Sequence, residues 1–145
     1  MVVLPFWKKT LTMKIKEFRF EPVTVGDHIR QKRLKLKLTQ REVALDLGVT
    51  TDCVTLWEKN HSEPLVHNFP LIIKFLGYNP LMIDTKTLGG QIKKYRYDNG
   101  LSHRNMGAML SVDSTTIRDW ELNKRIPKYK SMEQLLNLLS QGRKS

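Results

Sequence analysis

The chain has 145 residues, with 25 Lys or Arg against 14 Asp or Glu, so its formal net charge is +11. Apolar residues make up 40% of it, which predicts a soluble globular protein and excludes a largely disordered chain. The positive charge favours a polyanionic partner, either nucleic acid or an anionic membrane surface. Because no apolar run reaches the roughly 18 residues that span a bilayer, we expect a cytoplasmic protein without a membrane segment.

Residues 1–22 match no other part of the chain and contain five lysines and arginines. Apolar residues alternate partially from Thr10 to Phe20, which leaves a short strand and a basic arm both open. We predict a basic N-terminal arm that packs loosely on the first domain.

An internal repeat organises the rest of the chain, because a shift of 63 positions aligns about fifty residues without a gap. Identical pairs in this register include Gly26 with Gly89, Ile29 with Ile92, Arg33 with Arg96, Leu47 with Leu110, Trp57 with Trp120, Glu58 with Glu121, and Pro64 with Pro127. Repeats of this length can each carry a core. We predict two domains, 23–80 and 87–141, with a linker at 81–86 and a tail at 142–145.

Each repeat contains sequence signals for four helices. The N-cap candidates for the first three helices are Thr24, Thr39 and Thr50 in the first repeat, and Thr87, Ser102 and Asp113 in the second. Gly48 or Ser111 ends the second helix. Apolar residues at helical spacing then predict a fourth helix in residues 68–76 and again in 131–139. The fold class is therefore all-α.

The second and third helices of each repeat have the pattern of a helix-turn-helix: a small residue where they cross, a tight turn, then an apolar residue. The string from Leu38 to Pro64, and its counterpart from Leu101 to Pro127, resemble the lambda-repressor and Cro-like regulators of bacteria and phages. The resemblance implies two tandem four-helix domains that set their third helices in the major groove. It also implies a transcriptional regulator of double-stranded DNA, more often a repressor, and a homodimer.

By this resemblance the DNA-binding positions fall on the second and third helices of each repeat. They are Gln40, Thr51, Asp52, Thr55 and Leu56 in the first, and His103, Ser114, Thr115, Arg118 and Asp119 in the second. Gln40 matches a glutamine that contacts phosphate and braces a recognition side chain in the family, whereas His103 departs from it. Arg118 is the one base-reading position whose side chain can donate two hydrogen bonds to the same guanine, so we expect the second domain to read sequence. Arg33 with Glu58, and Arg96 with Glu121, resemble a structural ion bridge of the family.

No catalytic, metal-binding or cofactor motif stands beside this pattern. The four histidines show no ligand spacing with Cys53, the single cysteine, and no phosphate-binding Gly loop or nucleophile elbow is present. We expect no enzyme, no cofactor and no small-molecule ligand. A protein-interaction module, such as an antitoxin-like partner with secondary DNA binding, remains the alternative.

Overall fold

The computed structural model describes residues 21–142. Within this range the chain forms eight α-helices and one 3-10 turn, without a strand, which confirms the all-α prediction for these residues. They divide into two compact units. Unit one comprises residues 21–64 and 75–80, and unit two comprises residues 65–74 and 81–142.

In chain order the helices are α1 (Val25–Lys35), α2 (Gln40–Leu47), α3 (Thr51–Glu58), α4 (Phe69–Leu76), α5 (Leu88–Asp98), α6 (His103–Leu110), α7 (Ser114–Glu121) and α8 (Tyr129–Gln141). A 3-10 turn at Val66–Asn68 precedes α4. The basic arm predicted for residues 1–22 lies outside the described residues except for its last two positions. The tail predicted for 142–145 lies outside them except for Gly142, and the domain boundaries stay a prediction.

The helices of unit one begin where the threonines predicted them. Thr24, Thr39 and Thr50 have extended backbones, and each hydroxyl accepts a hydrogen bond from the amide three residues on. Such caps satisfy amide groups that the first turn of a helix leaves without a partner. Below them, α1 and α2 both pack on α3 around a buried core of apolar side chains. These include Ile29, Val43, Leu47, Val54 and Trp57.

Unit two repeats this arrangement, with α5 and α6 packed on α7 and α8 completing the core. The predicted caps Thr87 and Ser102 accept from the amides of Gly90 and Asn105. Asp113 also occupies the predicted capping position of α7, but its side chain makes no capping hydrogen bond. The core consists of Ile92, Met106, Leu110, Ile117, Trp120, Leu135 and Leu139.

A close helix crossing explains one identical pair of the repeat, Gly26 and Gly89. A Cβ added at Gly26 would lie 1.8 Å from the carbonyl oxygen of Trp57, and one added at Gly89 would lie 2.3 Å from that of Glu121. Neither distance is physically accessible, so only glycine lets the first helix approach the end of the third this closely. This approach fixes the position of α3 in unit one and of α7 in unit two.

The turn between the second and third helices is left-handed in both units. Gly48 ends α2 with φ 63°, and Ser111 ends α6 with φ 54°. A serine in this region carries a steric cost that glycine does not. In each unit the turn directs the third helix across the second, which is the geometry of a helix-turn-helix.

Candidate nucleic-acid interface

Helix α3 buries Val54 and Trp57 and leaves its opposite face open to solvent. On that face Thr51 and Asp52 are exposed, and Leu56 is 43% exposed although it is apolar. The exposed face offers hydroxyl and carboxylate groups and one isobutyl group, and no Arg, Lys, Asn or Gln lies at the four predicted base-reading positions of this helix.

Thr55, the remaining position on α3, is only partly exposed because its hydroxyl is engaged inside the unit. The hydroxyl lies 3.0 Å from Oε1 of Gln40 and 3.0 Å from the carbonyl oxygen of Thr51, with one proton to share between these two acceptors. The Gln40 amide in turn donates to Oε2 of Glu58 at 2.9 Å. The structure therefore brings Gln40 and Thr55 together, and this contact braces α2 against α3.

Glu58 also receives the ion bridge that the family resemblance implies. Nε and Nη2 of Arg33 donate to its two carboxylate oxygens at 2.6 and 2.8 Å, and Nη1 donates to the carbonyl oxygen of Leu38 at 3.1 Å. The guanidinium thus joins the end of α1, the loop that follows it and the end of α3. Its burial and paired geometry identify a structural contact rather than a surface ion pair.

The same bridge recurs in unit two between Arg96 and Glu121, at 2.8 and 2.9 Å, with Nη1 of Arg96 3.1 Å from the carbonyl oxygen of Leu101. Arg96 is buried, and its guanidinium carbon lies 4.8 Å from the ring centre of Tyr97. Burial by itself lowers the pKa of Arg96, but the hydrogen bonds and charge of Glu121 outweigh it, and the net pKa is raised. The prediction of two structural bridges is confirmed.

Helix α7 presents a different surface from α3. Ser114, Thr115 and Arg118 are exposed on it, and Arg118 stands at the position that Thr55 holds in the first repeat. The carboxylate of Asp119 lies 3.2 Å from Nε of Arg125, which is itself 71% exposed. The exposed face of α7 thus carries the guanidinium of Arg118. The carboxylate of Asp119 is paired with a second guanidinium, that of Arg125.

His103 begins α6 at the position that Gln40 holds in unit one, and it faces the equivalent glutamate of its own unit. Its Nε2 lies 3.3 Å from Oε2 of Glu121, and that nitrogen is buried. Burial lowers the pKa of His103, as do the positive charges of Arg96 and Arg118, while Glu121 opposes them, and the net pKa is lowered. No Thr55-like hydroxyl completes this brace, because the corresponding residue is Arg118.

Two sets of exposed cations lie outside the positions predicted from the sequence. Arg41 and Arg104 are exposed on the first turns of α2 and α6, and the repeat aligns them, so this pair could have been found. The second set follows α7, where residues 122–130 contain four basic and no acidic residues, whereas the aligned segment 59–67 contains one of each. Two large apolar or aromatic residues of the same segment, Ile126 and Tyr129, are also exposed, by 80% and 85%.

Residues 21–142 contain no group of three His, Cys, Asp or Glu side chains placed to share a metal ion. Cys53 lies on the first turn of α3, where the hydroxyl of Thr50 is 3.2 Å from its sulfur. None of the described helices has both the length and the apolar character needed to cross a membrane.

The geometry and a family comparison agree on the class of the first repeat. Residues 29–83 match the model of the helix-turn-helix family. The chain is also similar to the HTH-type transcriptional regulator DicA of Escherichia coli (strain K12), with 38% identity over 61 residues. This match covers 42% of the chain and 45% of that regulator, so the chain spans less than half the length of the relative. No solved structure matches the chain significantly.

Proposed function

We propose that this chain is a sequence-specific double-stranded DNA-binding transcriptional regulator, and that it acts as a repressor in the bacterial cytoplasm. One observation carries the proposal: each unit holds its third helix by a buried Arg–Glu bridge and a glycine crossing while leaving the opposite face of that helix exposed. A third helix held in this way can enter the major groove as one rigid element. The family match of residues 29–83 and the similarity to DicA support the same function.

In this proposal the ten positions predicted from the sequence form the DNA-contacting surface, with the exposed cations added to it. Arg41 and Arg104, at the starts of α2 and α6, contact phosphates together with the helix N-termini. The basic segment 122–130 contacts the backbone beside α7. Phosphate contacts of this kind position the protein, and base contacts select the sequence.

Unit two is the principal reader of sequence in this proposal. The hydroxyl of Thr55 is engaged by Gln40 and by the backbone, whereas the guanidinium of Arg118 stands exposed and can fork onto O6 and N7 of guanine. Asp119 would repel nearby phosphates, but Arg125 offsets its charge. The first unit therefore contributes mainly backbone affinity.

A salt titration with random duplex DNA tests the general proposal. If the protein makes roughly 6–10 phosphate contacts, its affinity falls by about 10³–10⁵ between 50 and 200 mM salt, because bound Lys and Arg displace condensed counterions. A flat salt response would refute DNA binding and favour the protein-interaction alternative. Light scattering on the complex then measures whether one chain or a homodimer occupies the duplex.

The assignment of the reader is tested with Arg118→Ala and its counterpart Thr55→Ala. Sites are first selected from random DNA, and both variants are then compared on selected and scrambled duplexes at one salt concentration. We expect Arg118→Ala to lose about 1–3 kcal/mol on the selected site and to relax the preference at one or two base pairs. We expect Thr55→Ala to lose clearly less. Equal weakening of both duplexes by Arg118→Ala would contradict the assignment.

A further inference from the structure

Different side chains occupy the same position beside the third-helix glutamate of each unit: Gln40 lies beside Glu58, and His103 lies beside Glu121. In unit one the Gln40 amide donates to Glu58 at 2.9 Å and accepts from Thr55 at 3.0 Å. In unit two the His103 ring faces Glu121 at 3.3 Å from the same helix position. An amide has donors and an acceptor at every pH, whereas the hydrogen-bonding state of an imidazole changes with its protonation.

The neutral ring of His103 has one donor nitrogen and one acceptor nitrogen, so it can donate a hydrogen bond in one direction only. If Nε2 carries the proton it can donate towards Glu121, and Nδ1 is then an acceptor with a lone pair. If Nδ1 carries the proton, Nε2 turns its lone pair towards a carboxylate. Only the imidazolium donates from both nitrogens. A third of the side chain is exposed although Nε2 is buried, and Nδ1 is the one hydrogen-bonding group among the remaining ring atoms.

Burial and the charges around the ring lower the pKa of His103 in the free protein. Two cations face it, Arg96 from α5 and Arg118 from α7, and only Glu121 from α7 opposes them. Glu121 is moreover already paired with Arg96 through two hydrogen bonds. A phosphate brought to the start of α6 would favour the protonated ring, because it adds negative charge. This charge would oppose the effect of the two guanidinium groups, which disfavour protonation in the free protein.

We propose that DNA binding by unit two takes up a proton at His103, so that the affinity for duplex DNA rises as the pH falls. The inference rests on the proposed function and adds regulation to the same site. Protonated His103 donates from Nε2 to Glu121, as the Gln40 amide donates to Glu58 in unit one at any pH, and from Nδ1 it donates to a phosphate oxygen. Unit one carries no such coupling at this position.

The test compares the wild type with His103→Gln, which installs the residue of the first repeat. The dissociation constant for one duplex is measured from about pH 8 to about pH 5.5 at constant ionic strength, across the ordinary titration range of histidine. Uptake of one proton changes affinity by at most tenfold per pH unit, so we expect the wild type to tighten roughly five- to tenfold more than His103→Gln over this range. The exposed His67 provides the matched control, and His67→Gln is expected to keep the wild-type profile.

A second measurement uses the wild type alone and therefore does not depend on the folding of a variant. The titration of the His103 ring is followed by NMR in the free protein and in the complex. We expect its midpoint below the ordinary histidine value in the free protein and at least one unit higher in the complex. An unchanged midpoint on binding would overturn the proposal.

The outcomes separate this inference from the proposed function. If the duplex binds with a steep salt response but the wild type and His103→Gln share one pH profile, proton uptake at His103 is wrong and DNA binding stands. If no duplex binds at low salt at any pH, the proposed function is wrong and this inference falls with it. A pH profile lost in His103→Gln and kept in His67→Gln supports both.

Discussion

The buried bridge between Arg96 and Glu121 gives the sharpest prediction about stability. Both side chains are nearly inaccessible, with 5% and 9% exposure, and they share two hydrogen bonds. The substitution Glu121→Gln keeps the shape of the side chain and removes its charge. It therefore leaves the Arg96 guanidinium buried without a counterion.

The structure sets the expected magnitude. Removing one partner of a buried pair costs roughly 3–5 kcal/mol, because the charge that remains is desolvated and uncompensated. Glutamine keeps one carbonyl oxygen as an acceptor, and Nη1 of Arg96 keeps its bond to Leu101, so we expect a loss of about 2–4 kcal/mol. Urea unfolding followed by tryptophan fluorescence measures it, because Trp120 lies in the same core.

A double variant separates the pairing from the mere presence of these side chains. Arg96→Met together with Glu121→Met replaces both charges by apolar groups of similar volume, and such replacements are often nearly neutral. We expect the double variant to be more stable than Glu121→Gln alone. If Glu121→Gln cost less than about 1 kcal/mol, or if the double variant lost as much as the two single changes added together, the reasoning about uncompensated burial would be refuted.

Three further predictions concern single-residue substitutions. Ser111→Gly should raise the free energy of unfolding by about 1 kcal/mol, and Gly48→Ala should lower it by a similar amount, since both residues have positive φ; urea unfolding of the two variants checks the signs. Thr50→Ala should cost about 1 kcal/mol, and Asp113→Ala clearly less, because only the threonine caps its helix through the side chain; melting curves showing equal losses would contradict this. The pKa of His103 is lowered by burial in the folded protein, so the unfolded chain binds more protons below about pH 6.5 and stability falls as the pH falls through that value; His103→Gln should flatten this decline in melting temperature.

Much of the scaffold was predictable because its causes are local or are written twice in the chain. Capping by Thr24 or Ser102 depends on one hydroxyl and an amide three residues on, so residue type and spacing suffice. The positive φ of Ser111 was predictable only through the repeat, since serine alone does not indicate a left-handed turn. The Arg–Glu bridges were implied by the family resemblance, and the equal spacing of the two pairs in the repeat agreed with it.

The contacts that distinguish the two surfaces could not be predicted in this way. Whether the hydroxyl of Thr55 points to solvent or to Gln40 depends on rotamers and on the crossing of two helices. The pairing of Asp119 with Arg125 depends on the path of the loop after α7. Asp113 is the converse case, where a favourable residue type occupies the capping position without making the hydrogen bond.

The repeat separates the residues that hold the fold from those that give each unit its surface. Identical positions such as Gly26 and Gly89 are fixed by helix crossings that no larger residue can occupy. Several positions that differ lie at the surface: the partly exposed Thr55 is replaced by the exposed Arg118, and a segment with balanced charges is replaced by one with four cations. Because binding to duplex DNA depends on exposed donors and cations and not on the core, the same scaffold can place its readout in one unit and its backbone affinity in both. Gln40, Thr55 and His103 belong to both groups, since each occupies a bracing position within the proposed DNA-contacting surface, and of these three side chains His103 is the one that titrates.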